Sequence, residues 1–243
     1  MAPVADLLAR IGTPFARFGP PQQDSGNVSW GVDVHRSGLE EPLPDSGDAR
    51  RLFLKTAGDP ADAAFLDHAT RGRLLRRAAR LLRTPHPALP RCFGVLEADD
   101  GPMLVLEWRT GRLLRADAEV RGSANDPAVR LRRDVAAARR AVDDLLDVHA
   151  TLAARGWVAG DLYDGSCLVD PDTGALTLID VDLYRLGATR NRMGRMFGSS
   201  RFMAPEEFEY GARIDQQTAV FVLGRLVAHL LGSSACAAVR PPG

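Results

Sequence analysis

The chain is 243 residues long, and its 31 acidic and 31 basic side chains give a formal net charge of zero at pH 7. Without a long basic run, this balance gives no reason to expect generic nucleic-acid binding, and no apolar stretch approaches the length of a membrane span. The three cysteines lack metal-like spacing and no secretory pattern opens the chain, so a reduced cytoplasmic setting is expected.

Hydrophobic periodicity predicts short strands and long helices in one domain or two small lobes. The predicted helices are 1–14, 60–83, 126–154 and 218–231, and the predicted strands are 51–55, 93–97 and 103–106. Residues 37–48 form a polar insertion that is expected to be the tip of a hairpin. This mixture predicts the α+β class.

An acidic turn, residues 161–166, directly precedes a predicted hairpin with strands 167–170 and 175–179. The motif Asp180-Val181-Asp182 follows it. A tight hairpin brings its ends together, so we expect Asp161, Ser166, Asp180 and Asp182 to converge. Clustered carboxylates need a balancing cation, and oxygen ligands without histidine or cysteine suit Mg²⁺. The alternative is an acidic surface loop with an ordinary hairpin.

Lys55 is the only lysine among the 31 basic side chains. A chain that otherwise uses arginine would keep a lysine where it needs a compact ammonium on a flexible stem. The alternative is that one lysine has persisted by chance in an arginine-rich sequence.

The order of these residues resembles the protein-kinase superfamily. In that family the catalytic loop H-R-D-L-x-x-x-N is followed by a hairpin and the motif D-F-G. Here the sequence Ala159-Gly160-Asp161-Leu162 matches the start of the loop, Ser166 stands at its asparagine, and 180–182 stand at D-F-G. The resemblance implies that Asp161 is the catalytic base and that Asp180, Ser166 and Asp182 bind metal, with Asp164 as a further candidate.

Three earlier stretches resemble the nucleotide-binding parts of the same family. Residues 26–34 resemble the Gly-rich loop between two strands, 51–55 resemble the V-A-I-K strand, and 107–111 resemble the hinge. The residues that the resemblance assigns to nucleotide binding are Gly26, Gly31, Lys55, Glu107 and Trp108. Phe53 stands where the family has a small residue facing the adenine, so its ring would either narrow the pocket or stack. Trp108 could equally be a packing aromatic.

The C-terminal part resembles an activation segment ending in A-P-E, residues 193–207, followed by helix F at 218–231. Several positions depart from the family pattern. Arg77 replaces the helix C glutamate, Ala219 replaces the buried helix F aspartate, and Glu206 lacks its expected arginine partner. The chain also ends before the later helices, which implies a shortened C-lobe that another protein could complete.

Taken together, the resemblance implies a bilobal protein-kinase-like fold with a small β-rich N-lobe, residues 1–107, and a mostly helical, truncated C-lobe, residues 108–243. It implies an ATP- and Mg²⁺-dependent phosphotransferase with Asp161 and Lys55 as catalytic residues. The acceptor would be a Ser/Thr hydroxyl of a protein or the hydroxyl of a small molecule. Two alternatives remain: a pseudokinase that binds nucleotide or scaffolds partners, and an unrelated α+β domain with accidental motifs.

Overall fold

The computed structural model describes residues 2–19, 26–35, 51–62 and 64–232. These residues form a mixed α+β structure with five α-helices and a five-stranded antiparallel sheet, which confirms the predicted class. The chain divides into two compact units: unit 1 is Met1–Pro85 with Pro90–Arg109, and unit 2 is His86–Leu89 with Thr110–Gly243. The predicted hairpin tip at 37–48 and Cys236 lie outside the described residues.

Unit 1 is built on the five-stranded sheet, with the strand order β1-β2-β3-β5-β4 and antiparallel neighbours throughout. Its strands are β1 Gly12–Phe18, β2 Val28–Val34, β3 Arg51–Thr56, β4 Cys92–Ala98 and β5 Gly101–Glu107. Side chains alternate between the two faces of a strand. Along β3, Leu52 and Leu54 are buried in the core, whereas Phe53 and Lys55 point to the other face and are partly exposed.

Two helices complete unit 1. Helix α1, Val4–Ile11, packs Leu8 and Ile11 onto the core face of the sheet. The predicted helix 1–14 is too long because Gly12 already begins β1, a strand that the sequence pattern did not predict. A Cβ at Gly12 would lie 2.1 Å from the carbonyl oxygen of Asp33, so this close approach of β2 requires glycine.

Helix α2, His68–Leu81, begins eight residues after the predicted start at residue 60. Asp67 caps it, since its side chain accepts a hydrogen bond of 2.7 Å from the backbone N–H of Thr70. The preceding residues include Gly58 and Pro60, which favour turns over helix. The helix buries Leu75, Ala78 and Leu81, as its apolar stripe predicted.

Unit 2 contains helices α3 Pro127–Leu131, α4 Val135–Ala154 and α5 Gln216–Leu231. The predicted helix 126–154 is therefore two helices. The break lies at Asp134, whose carboxylate accepts hydrogen bonds from the N–H groups of Ala136 and Ala137 and so starts a new helix. Helix α4 packs its apolar face, including Leu145, Val148 and Leu152, into the core of the unit.

The strands of unit 2 are short. They are β6 Arg112–Leu113, β7 Trp157–Val158, β8 Cys167–Val169, β9 Leu176–Leu178, β10 Arg185–Leu186, β11 Thr189–Arg190 and β12 Arg213–Ile214. Strands β8 and β9 form the hairpin that the sequence predicted, with Cys167 opposite Leu178, and β6 adds a third strand. Within the described ranges, no helix combines the length and the apolar character needed to cross a membrane.

Candidate functional site

The backbone of Asp161 has an uncommon conformation. Its φ of 55° makes it the one non-glycine residue in the left-handed region among the residues that the structure describes. Such a conformation costs on the order of 1 kcal/mol and persists only when its surroundings hold it. Here the hydroxyl of Ser166 donates to the carbonyl oxygen of Asp161 at 3.1 Å and accepts from the N–H of Tyr163 at 3.4 Å.

The β8–β9 hairpin places Asp180 in the same region as Asp161. The N–H of Ile179 donates to the carbonyl oxygen of Ser166 at 2.9 Å, so the residue before Asp180 is bonded to the end of the acidic turn. Burial raises the pKa of Tyr163, and the negative charges of Asp161 and Asp180 raise it further. Both carboxylates are therefore close enough to the Tyr163 hydroxyl to act on it electrostatically.

The other two predicted metal ligands lie deeper. Ser166 is fully buried and its hydroxyl is engaged by the backbone of the turn. Asp182 is also buried, whereas Asp161 and Asp180 are partly exposed. The observed bonds give Ser166 a role in holding the backbone of Asp161, and metal binding by Ser166 and Asp182 stays a prediction.

The donor set fits magnesium. Among the described residues, no three or more His, Cys, Asp or Glu side chains gather into a group that could hold a metal ion by themselves. Mg²⁺ takes one or two carboxylates and completes its shell with phosphates and water, and its ligands are oxygens. The carboxylate oxygens of Asp161 and Asp180 are ligands of this kind.

Asp164 does not share the environment of Asp161. Its side chain is only 2% exposed and forms an ion pair with Arg201, with Nε2 of His229 3.9 Å from the same carboxylate oxygen. Its carboxylate thus serves a buried ion pair, and metal binding by Asp164 stays a prediction. The sequence held no local signal for the pair because 37 residues separate its partners.

Two glycines bring other segments against the acidic turn. A Cβ at Gly160 would lie 2.5 Å from the carbonyl oxygen of Leu183, so no side chain fits where the kinase family has arginine. Gly198, with φ of 136°, would place a Cβ 3.6 Å from Oδ1 of Asp161. The backbone of residue 198 therefore lies beside the predicted catalytic carboxylate.

In unit 1, Lys55 lies near the middle of the sheet. It is opposite Ser29 on β2 and Leu104 on β5, and directly opposed residues share a face. Phe53, two residues earlier on the same face, is opposite Gly31 and Leu106. Lys55 is partly exposed.

An aromatic cluster covers part of the face that carries Lys55; it consists of Phe15, Phe18, Phe53 and Trp108. The Phe15 and Trp108 rings meet edge to face at 4.9 Å, and Phe18 lies 6.1 Å from Phe53 and 6.4 Å from Trp108. A Cβ at Gly31 would lie 2.6 Å from Phe15, so the glycine makes room for the rings. The sequence pattern did not indicate Phe15 and Phe18, because they lie on β1, a strand that it did not predict.

The predicted Gly-rich loop at 26–34 is wrong as a loop between two strands. Val28–Val34 is the continuous strand β2, so Gly31 is a mid-strand residue and the link from β1 to β2 is 19–27. Gly26 ends that link with a left-handed φ of 72° and packs against the guanidinium of the buried Arg71.

The two predicted hinge residues both belong to unit 1. Glu107 ends β5, pairs with Arg109 at 3.0 Å and accepts from the N–H of Arg91 at 3.1 Å. Trp108 packs in the aromatic cluster, which is the alternative that its sequence context left open.

Comparison with models of known protein families and with the curated proteins gave no match.

Proposed function

We propose that the chain is a phosphotransferase with a bilobal protein-kinase-like fold. It would transfer the γ-phosphoryl group of ATP, with Mg²⁺, to a hydroxyl of a protein or a small molecule. The observation that carries the proposal is the conformation of Asp161, held in a left-handed backbone by Ser166 with the Asp180 carboxylate nearby. Strained residues concentrate at functional sites, and this one stands where the kinase family has its catalytic aspartate.

Asp161 would orient the acceptor hydroxyl and accept its proton on the carboxylate. Its partial exposure keeps the carboxylate accessible, while the Ser166 hydroxyl bond fixes the backbone from which it projects. Phosphoryl transfer depends mainly on positioning and on charge stabilisation, so a rigid turn under Asp161 is the property the reaction needs.

Asp180 would hold Mg²⁺, with Ser166 and Asp182 as the further predicted ligands. When bound, Mg²⁺ neutralises the phosphate charge that develops during transfer. Lys55 would contribute a point positive charge toward the phosphates; it lies on the third strand of its sheet, and the kinase lysine lies on strand β3. The γ-phosphoryl group leaves ATP and bonds to the acceptor oxygen, ADP is released, and the hydroxyl proton passes to Asp161.

The test is phosphoryl transfer from γ-labelled ATP in the presence of Mg²⁺, to the chain itself and to water. Asp161→Asn and Asp180→Asn should each reduce the rate by about 100-fold or more, because each removes a charge that the transfer step uses. Asp172→Asn is the matched control, since it removes an exposed carboxylate from the same hairpin. If Asp161→Asn forms as much labelled product as wild type, Asp161 is not the base that accepts the hydroxyl proton.

A second candidate is a nucleotide-binding or scaffolding module without turnover. The aromatic cluster favours its scaffolding form, since four rings cover the sheet face on which a base would have to lie. A thermal-shift titration of ATP with and without Mg²⁺ separates the two candidates, because a ligand of the folded state raises the melting temperature. ATP binding that Lys55→Ala abolishes, without transfer to the chain or to water, would support a nucleotide-binding module, and no shift with ATP would support a scaffold.

A further inference from the structure

Asp164 is a buried acid, three residues beyond Asp161, that the proposed reaction does not use. It lies in the short 3-10 turn Asp164–Ser166, and its side chain is 2% exposed. A charged group in such a place costs several kcal/mol of desolvation unless it is paired and hydrogen-bonded. Its burial therefore calls for a physical reason.

The partner of Asp164 comes from the segment that follows Gly198. The Nη2 group of Arg201 donates to Oδ2 of Asp164, and the Arg201 guanidinium lies 4.8 Å from the centre of the Phe202 ring. The other carboxylate oxygen, Oδ1, is buried and has no hydrogen-bond partner among the described residues. Arg201 is therefore the main compensation for the charge of Asp164.

Helix α5 supports the same pair from its C-terminal half. The Nε group of Arg225 donates to the carbonyl oxygen of Arg201 at 2.6 Å. One turn later, Nε2 of His229 lies 3.9 Å from Oδ2 of Asp164, and the His229 ring meets Phe202 edge to face at 5.5 Å. Three segments of unit 2 thus meet at the Asp164 carboxylate.

These contacts bear on Asp161 from two sides. The turn that carries Asp164 also carries Ser166, whose hydroxyl holds the Asp161 carbonyl. The segment that carries Arg201 begins at Gly198, beside the Asp161 carboxylate. The ion pair between Asp164 and Arg201 therefore holds together the two segments that lie beside Asp161, namely the turn with Ser166 and the segment that begins at Gly198.

We propose that Asp164, Arg201, Arg225 and His229 form a clamp that positions Asp161, with Asp164 and Arg201 as its positioning residues. The inference rests on the proposed phosphotransferase for its functional consequence, but the clamp is a property of unit 2 alone. The resemblance leads one to expect an aspartate at position 219 that holds the backbone of the catalytic loop, but this chain has a buried alanine there. The clamp would hold the loop from the C-terminal half of α5 instead.

Hydrogen exchange in the full-length chain tests the clamp directly. The amides of Phe202 and Met203 donate to the Ser199 carbonyl, so their exchange reports on the segment after Gly198. The amide of Ser166 donates to the Tyr163 carbonyl and reports on the acidic turn. Arg201→Met leaves the Asp164 charge uncompensated and should accelerate exchange at these amides by about 100-fold. Arg201→Lys keeps a positive charge and should recover part of the protection.

The double variant Asp164→Asn/Arg201→Met separates an ion pair from ordinary packing. It removes both charges, so its loss of stability should be smaller than the sum of the two single losses. Arg213→Met is the matched control, because it breaks an ion pair with Asp215 in the same unit at a side chain that is 70% exposed. Additive single losses, or exchange no faster than in the control, would overturn the clamp.

The catalytic consequence has its own readout. In Arg201→Met the kcat for transfer should fall by about ten-fold or more while the KM for ATP changes by less than about two-fold, since only the placement of Asp161 is disturbed. A fall in kcat and a rise in KM of equal size would contradict a positioning role. Failure of the proposed function would instead appear as no transfer by the wild type, with the exchange result still deciding the clamp.

Discussion

Glu207 provides the sharpest test of the electrostatics of unit 2. Its side chain is buried in the turn Pro205–Phe208 and accepts a hydrogen bond of 2.7 Å from the N–H of Ala204. Burial raises the pKa of this carboxyl from 4.5 to about 7; the Ala204 bond opposes that shift and the charge of Glu206 adds to it. Compared with the unfolded chain, the folded protein therefore favours the protonated form of Glu207.

The sign of the pH dependence follows from this raised pKa. The contribution of Glu207 to stability is fully present below about pH 4.5 and is lost as the pH rises through about 7. At 1.36 kcal/mol per pKa unit, the ionised carboxylate costs on the order of 3 kcal/mol at pH 8. Glu207→Gln keeps an oxygen that accepts from Ala204 and removes the charge, so it should abolish this loss.

Thermal unfolding of the full chain between pH 5 and pH 8 measures the effect. As the pH rises across this range, the melting temperature of the wild type should fall by about 6–12 °C relative to that of Glu207→Gln. Glu209→Gln is the matched control, since its exposed carboxylate lies at the end of the same turn. If wild type and Glu207→Gln unfold with parallel pH profiles, the reasoning about a buried neutral acid is refuted.

Two further predictions concern residues around the acidic turn. Tyr184→Phe should destabilise the protein by about 1–2 kcal/mol. In neutral His149, Nδ1 donates to the Leu145 carbonyl and Nε2 accepts a hydrogen bond of 2.8 Å from the Tyr184 hydroxyl, and the substitution removes the second of these bonds. Burial lowers the pKa of His149 to about 4, so the stability that neutral His149 contributes is fully present above about pH 6.5 and is lost as the pH falls through 4. Denaturant unfolding at pH 5 and pH 8 checks both statements. Gly160→Ala should lower kcat for transfer by about ten-fold or more, because its methyl group would push the Leu183 carbonyl away and shift the Asp180 segment. Gly187→Ala is the control for general destabilisation, since its Cβ would meet no atom within 4 Å but its left-handed φ of 70° makes alanine strained. Unchanged kcat in Gly160→Ala would contradict the steric argument.

The sequence alone was sufficient where the determining contacts are local. The hairpin of β8 and β9 follows from alternating apolar residues around the turn 171–174, and the pair β4–β5 follows from a similar pattern around residues 99–101. The apolar stripes of α2 and α5 likewise predicted helices at those positions. The proximity of Asp161 and Asp180 needed only the hairpin between them.

Tertiary structure decided the features that depend on distant partners. Gly26–Val34 was predicted as a loop, yet β2 is held as a strand by β1 on one side and β3 on the other. The four rings beside Lys55 lie on β1, on β3 and directly after β5, and they meet only because the sheet brings these strands together. Phe15 and Trp108 are in contact although they are far apart in sequence.

The Asp164 ion pair is the clearest case of this division. The sequence places an aspartate in an acidic turn, where solvent or a metal would be the ordinary expectation. The structure buries it against Arg201 and His229, which are 37 and 65 residues away. Short-range patterns record which residues are neighbours along a helix or across a tight turn, whereas burial and charge pairing depend on the packed positions of separate segments. The sequence therefore determined which acids surround the turn, and only the tertiary structure decided which of them is held inside a buried ion pair.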